Sequence, residues 1–85
     1  MIISYEFLEY ALIRKNGQCV GKRKHMGYKD SQKLCATACE EFSEMFNYGA
    51  SDGTCYCQVD TNNYRCKKET FIKESDLYAF QNRSK

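Results

Sequence analysis

The chain has no proline, no tryptophan, one histidine, and no long apolar run. A transmembrane helix needs roughly 18 or more consecutive apolar residues, and no stretch approaches that length. The single histidine leaves His25 as the only imidazole for acid–base or Cys–His chemistry. Without tryptophan, the aromatic set is seven tyrosines and five phenylalanines, many carrying a hydroxyl handle. The absence of proline is unusual for a loop-rich domain. Repeats, linkers and low-complexity segments are also missing, so the 85 residues read as one domain, 1–85. Strong charge is lacking too. A formal net charge of +2 argues against a nucleic-acid binder, which carries a basic footprint. The first residues, from Met1 to Tyr10, hold glutamates and no basic n-region, so they are not read as a signal peptide. The chain is expected to be a mature or excised domain.

What the chain has is cysteine. Six cysteines in a short sequence fit an oxidising compartment and a disulfide framework. A core of this size supplies only a few kcal/mol, so staples are expected. Cys35 and Cys39 lie four apart in a helix-like stretch, and Cys55 and Cys57 lie two apart in a strand-like stretch. Both spacings put the pair on one face. The helical pair spans roughly 6 Å of rise and the strand pair roughly 6.7 Å, so two bonds can rivet helix to sheet. A chain that turns back after the helix brings the nearer cysteines together. The expected bonds are therefore Cys39–Cys55 nested inside Cys35–Cys57, with Cys19–Cys66 left over. Four thiolates on a zinc ion are the competing reading, but Cys-x-Cys is tight for one metal and two cysteines would remain. No metal and no cofactor is expected.

Strand is expected over residues 2–13, followed by a turn at Lys15-Asn16-Gly17-Gln18 and a short strand over Gln18–Val20. Gly21 to Tyr28 reads as a basic loop. Asp30 or Ser31 can cap a helix over residues 31–43, with Leu34, Cys35, Ala38, Cys39 and Phe42 on its apolar stripe. Met45–Tyr48 and Thr54–Val59 read as a hairpin, Asp60–Asn63 as a polar turn, and Leu77–Phe80 as the closing strand. The expected fold class is α+β: a small antiparallel sheet packed against one helix, with three disulfides.

The ordered set Gly17-Gln18-Cys19, Cys35-x-x-x-Cys39, Phe46-Asn47-Tyr48-Gly49, Gly53-Thr54-Cys55-Tyr56-Cys57 and Asp76-Leu77-Tyr78-Ala79-Phe80 resembles the PAN/apple family over nearly the whole chain. The resemblance implies an antiparallel sheet cradling one helix that is disulfide-bonded to the central strands. It also implies binding of proteins or carbohydrates outside cells. Two departures are visible: Ser43-Glu44-Met45 stands where family members often carry a cysteine, and Cys66 precedes the last strand.

Charge is uneven. Residues 1–36 hold seven Lys/Arg against three acids, and the remainder holds six against eight. Lys22, Arg23, Lys24 and His25, with Lys29 nearby, form the sharpest binding candidate, suited to sulfated glycans or acidic protein surfaces. The competing candidate is an aromatic face around Tyr56, with Tyr48 as its cross-strand neighbour. Glu40, Glu41 and Glu44 read as a solvated helix surface, and with the cysteines paired, no enzyme is expected. Asn82-Arg83-Ser84 matches an N-glycosylation sequon. The leading functional expectation is a secreted recognition module for a glycan or an extracellular protein, without membrane insertion. The alternative is a secreted toxin or effector that blocks a receptor, channel or protease.

Overall fold

The computed structural model describes residues 8–81. The early part of the expected first strand and the Asn82 sequon lie outside them. The elements are β1 (Glu9–Arg14), β2 (Gly17–Cys19), β3 (Arg23–Tyr28), α1 (Gln32–Cys39), β4 (Met45–Gly49), β5 (Thr54–Gln58), β6 (Thr61–Asn62), β7 (Arg65–Cys66), β8 (Glu69–Phe71) and β9 (Asp76–Gln81). Five strands form one sheet in the order β1-β9-β4-β5-β3, antiparallel at every pairing. Two small ribbons, β2-β8 and β6-β7, complete the strands. Over the described residues the protein is thus an α+β fold with one helix on an antiparallel sheet and three disulfides, as its sequence suggests.

The helix is short. Ser31 caps it, its side-chain oxygen accepting from the Leu34 N–H at 3.2 Å. Isolated helices below about 12–15 residues are marginal in water, so these eight residues depend on their attachment to the sheet. That attachment is Cys35–Cys55 and Cys39–Cys57. The nested pairing expected above is therefore wrong, while Cys19–Cys66 is present. The reason is a second reversal. β4 runs back against the helix, and the 50–53 turn then reverses the chain again, so β5 runs in the helix direction and the cysteines pair in order.

The helix face of the sheet is apolar. Cys35, Ala36, Cys39, Phe46, Tyr48, Cys55, Cys57, Tyr78 and Phe80 form one buried cluster. Tyr10 packs edge-on against Phe46 and Tyr78, at 5.2 and 5.6 Å between ring centroids. The expected helix stripe is rotated. Leu34 and Phe42 are 49% and 53% exposed, and Ala36 takes the buried place beside the cysteines. Phe42 lies beyond the helix end, so the period that put it on the stripe has stopped.

The opposite face carries a smaller cluster of Cys19, Met45, Leu77 and Ala79, with Cys66 packed against it. Next to it runs a buried polar seam of Asn47 and Gln58. Asn47 Nδ2 donates to the Gly17 carbonyl at 2.7 Å, to Ser75 Oγ at 3.0 Å and to the Asp76 carbonyl at 3.1 Å. Gln58 Nε2 donates to Asn47 Oδ1. One side chain thus ties β2 and the start of β9 to the middle of β4. The Asn16-Gly17 turn forms, with Asn16 at φ 56°, yet it closes no hairpin: β1 pairs with β9 and β2 with β8.

The Gly21 to Tyr28 segment is the main departure in secondary structure. From Arg23 it is a strand, not a loop, with Arg23, Lys24 and His25 in register with Gln58, Cys57 and Tyr56. It is an edge strand, where charged side chains and a bulge guard against further pairing. The register shifts between His25 and Tyr28, with Gly27 at φ 85° in the bulge.

Candidate ligand-binding face

Making β3 a strand sorts its basic residues by alternation. His25 is the register partner of Tyr56, and Arg23 that of Gln58, so both stand on the face away from the helix. Lys24 pairs with Cys57 and belongs to the helix side, where its Nζ lies 5.3 Å from the Phe42 ring. The five-residue basic candidate is therefore not one cluster.

Its other members diverge as well. Lys22 sits beside Asp60, whose carboxyl is held below the ordinary carboxylate value first by the Lys67 hydrogen bond and charge and then by Lys22. The Lys67 Nζ–Asp60 Oδ1 distance is 2.8 Å. Lys29 anchors the end of β3 through its backbone. Its N–H donates to the Gly53 carbonyl at 2.8 Å, and its carbonyl accepts from the Tyr48 hydroxyl at 2.9 Å.

The two aromatic candidates also part. Tyr48 is the register partner of Cys55, not of Tyr56, and is buried in the helix-face cluster. It is a core residue. Tyr56 points the other way and is half-buried. Arg23 Cζ lies 4.1 Å from the Tyr56 ring centroid, within the range of a cation–π contact. The Arg23 guanidinium also donates to Gln18 Oε1, which orients it over the ring. The His25 ring centroid is 4.7 Å from that of Tyr56, the planes tilted by 31°. Tyr28 stands edge-on to His25 at 6.0 Å. Arg23, His25 and Tyr56, expected as parts of two rival sites, are thus neighbours in one.

A cleft of about 190 Å³ adjoins this group, lined by Tyr56, Gly49 and Thr54, by Ser51 and Asp52 of the turn, and by residues 72–75. Gly49 permits it: a Cβ there would stand 2.8 Å from the Glu74 carbonyl oxygen. Asp52 Oδ1 accepts from the Thr54 hydroxyl at 2.7 Å and the Thr54 N–H at 3.0 Å, and these bonds hold its carboxyl below the ordinary carboxylate value. The 72–75 loop escaped the sequence reading. Its shape depends on Glu74 at φ 63°, a conformation that no glycine or Asn-Gly signals.

The thiolate-zinc alternative has no thiolates to draw on. Cys35, Cys39 and Cys55 bring their sulfurs within 4.8 Å of one another, but each sulfur is already in a disulfide. No helix among the described residues is long and apolar enough to cross a membrane. Three disulfides in a chain of this size fit an oxidising, extracellular environment. No known protein family, characterised protein or solved structure matches the chain.

Proposed function

We propose that this chain is a non-enzymatic, secreted recognition module of PAN/apple type that binds an acidic glycan on the sheet face opposite its helix. The observation that carries the reading is the placement of Arg23 and His25 against the ring of Tyr56 on an accessible edge strand. Arg23 supplies a forked donor set for sulfate or carboxylate. Tyr56 supplies a flat apolar surface for a sugar ring. The order of strands, helix and cysteines supports the family reading, as does a helix bonded twice to one interior strand, β5.

The test is binding to immobilised heparin at low and high salt. Wild type should bind and be released by salt, since exposed charges are screened over about 8 Å at physiological ionic strength. Arg23→Ala should lose most of the binding, Tyr56→Ala a part, and Lys24→Ala little, because Lys24 faces the helix side. Failure to bind heparin or any member of a glycan panel would rule out the glycan ligand and leave an acidic protein surface as the partner to seek.

A further inference from the structure

Tyr56 belongs to two features at once. Its ring meets Arg23 and His25 of β3, with Arg23 Cζ at 4.1 Å and the His25 centroid at 4.7 Å. The same residue lines the cleft of about 190 Å³. Sites that enclose a drug-sized ligand run to roughly 300–1,000 Å³, so this cleft is on the scale of a single ring.

The chemistry of the two parts differs in sign. Beyond Tyr56, the cleft is lined by Gly49, Ile72, hydroxyls and the acids Asp52 and Glu74, with Lys73 its one cation among the described residues. Ser51 Oγ donates to Glu74 Oε1 at 3.2 Å, and Asp52 spends one oxygen on Thr54. A carboxylate has about four acceptor sites, so both acids keep capacity to receive hydrogen bonds from ligand hydroxyls. Both would repel a sulfate. The cleft thus suits a neutral hydroxylated ring better than an anionic one, while Arg23 supplies the positive charge at the β3 end.

We propose that the cleft and the Arg23–His25 pair form one polarised site for a saccharide in which a neutral ring adjoins an anionic one. The neutral ring sits in the cleft against Tyr56, and its charged neighbour meets Arg23 and His25. This rests on the glycan reading above and narrows it: a glycan with alternating neutral and carboxylated rings uses the whole site, while a densely sulfated chain uses only the β3 end.

A short hyaluronan oligosaccharide, in which neutral and carboxylate-bearing rings alternate, and a short heparin oligosaccharide separate the cases by calorimetry. Ser51 is an exposed turn residue, so Ser51→Trp fills the cleft without entering the core. It should weaken hyaluronan binding about tenfold or more and leave heparin binding unchanged. Glu74→Gln removes one cleft charge at another exposed position. It should weaken hyaluronan and strengthen heparin, whereas plain long-range electrostatics would strengthen both. If both variants bind hyaluronan at least as well as wild type does, the cleft is no part of the site and the inference is overturned, while the glycan reading stands. If wild type binds neither probe, this inference is overturned, and the glycan reading fails with it only when the whole glycan panel also shows no binding.

Discussion

The two faces of the five-stranded sheet solve different problems. The helix face is dry: its four cysteines are fully buried, and phenylalanine and tyrosine rings fill the space between them. The other face mixes a small apolar cluster with a buried amide seam, one disulfide that reaches a half-buried cysteine, and the accessible Arg23–His25–Tyr56 group. Because the staples fix the fold from one side, the other can present cations, a cleft and unpaired hydrogen-bonding capacity without supplying most of the stability.

The largest expected effect breaks the stapled side. The 47-residue separation of Cys19–Cys66 exceeds the 18 of Cys39–Cys57, and chain entropy alone would favour the longer loop by less than about 1 kcal/mol. Burial decides the other way. Cys39→Ser with Cys57→Ser leaves two hydroxyls in a fully buried core, each costing about 1–3 kcal/mol if unpaired, on top of about 2–5 kcal/mol for the lost bond. That variant should be largely unfolded at physiological temperature. Cys19→Ser with Cys66→Ser should keep a cooperative melt, at a lowered midpoint, by circular dichroism. Equal melts for the two pairs would erase the contrast between the faces.

A smaller effect tests the amide seam. Asn47→Ala removes the donor to Gly17, Ser75 and Asp76 and strands the Gln58 amide, for a cost of about 1–3 kcal/mol in urea denaturation. Unchanged stability would mean that the seam contributes nothing net.

The smallest effect concerns the helix-face rings in alkali. Burial pushes the Tyr10 phenol above its ordinary value, and burial followed by the Asp76 charge does so for Tyr78. The folded chain therefore keeps protons that the unfolded chain would release. This contribution is complete below the ordinary tyrosine range near pH 10 and is lost as pH rises through the raised folded values. Stability should accordingly fall above about pH 10, and Tyr10→Phe should flatten that fall.

Much of the stapled face was legible, and the reason is local. Periods of four and two place each cysteine pair on one face whatever the rest of the chain does, and Ser31 caps its helix as its residue type suggests. The pairing within that face, and most of the opposite face, were not. Whether Cys35 bonds Cys55 or Cys57 depends on how many times the chain reverses, which no residue spacing records. The sequence suggests Tyr48 and Tyr56 as cross-strand neighbours, but their hairpin pairs Tyr48 with Cys55, and in a pleated sheet a one-residue difference moves a side chain to the other face. β3 escaped because charged edge strands look like basic loops. Only its register against β5 reveals that Arg23 and His25 share one face while Lys24 stands on the other.

Ligand recognition is proposed for the face opposite the helix. Amide chemical shifts recorded while a short heparin oligosaccharide is titrated into the labelled protein test it most directly. Saturable shifts should centre on Arg23, His25 and Tyr56, with Leu34, Thr37 and Phe42 of the helix side unmoved. Shifts centred on Lys24, Phe42 and the helix would contradict it.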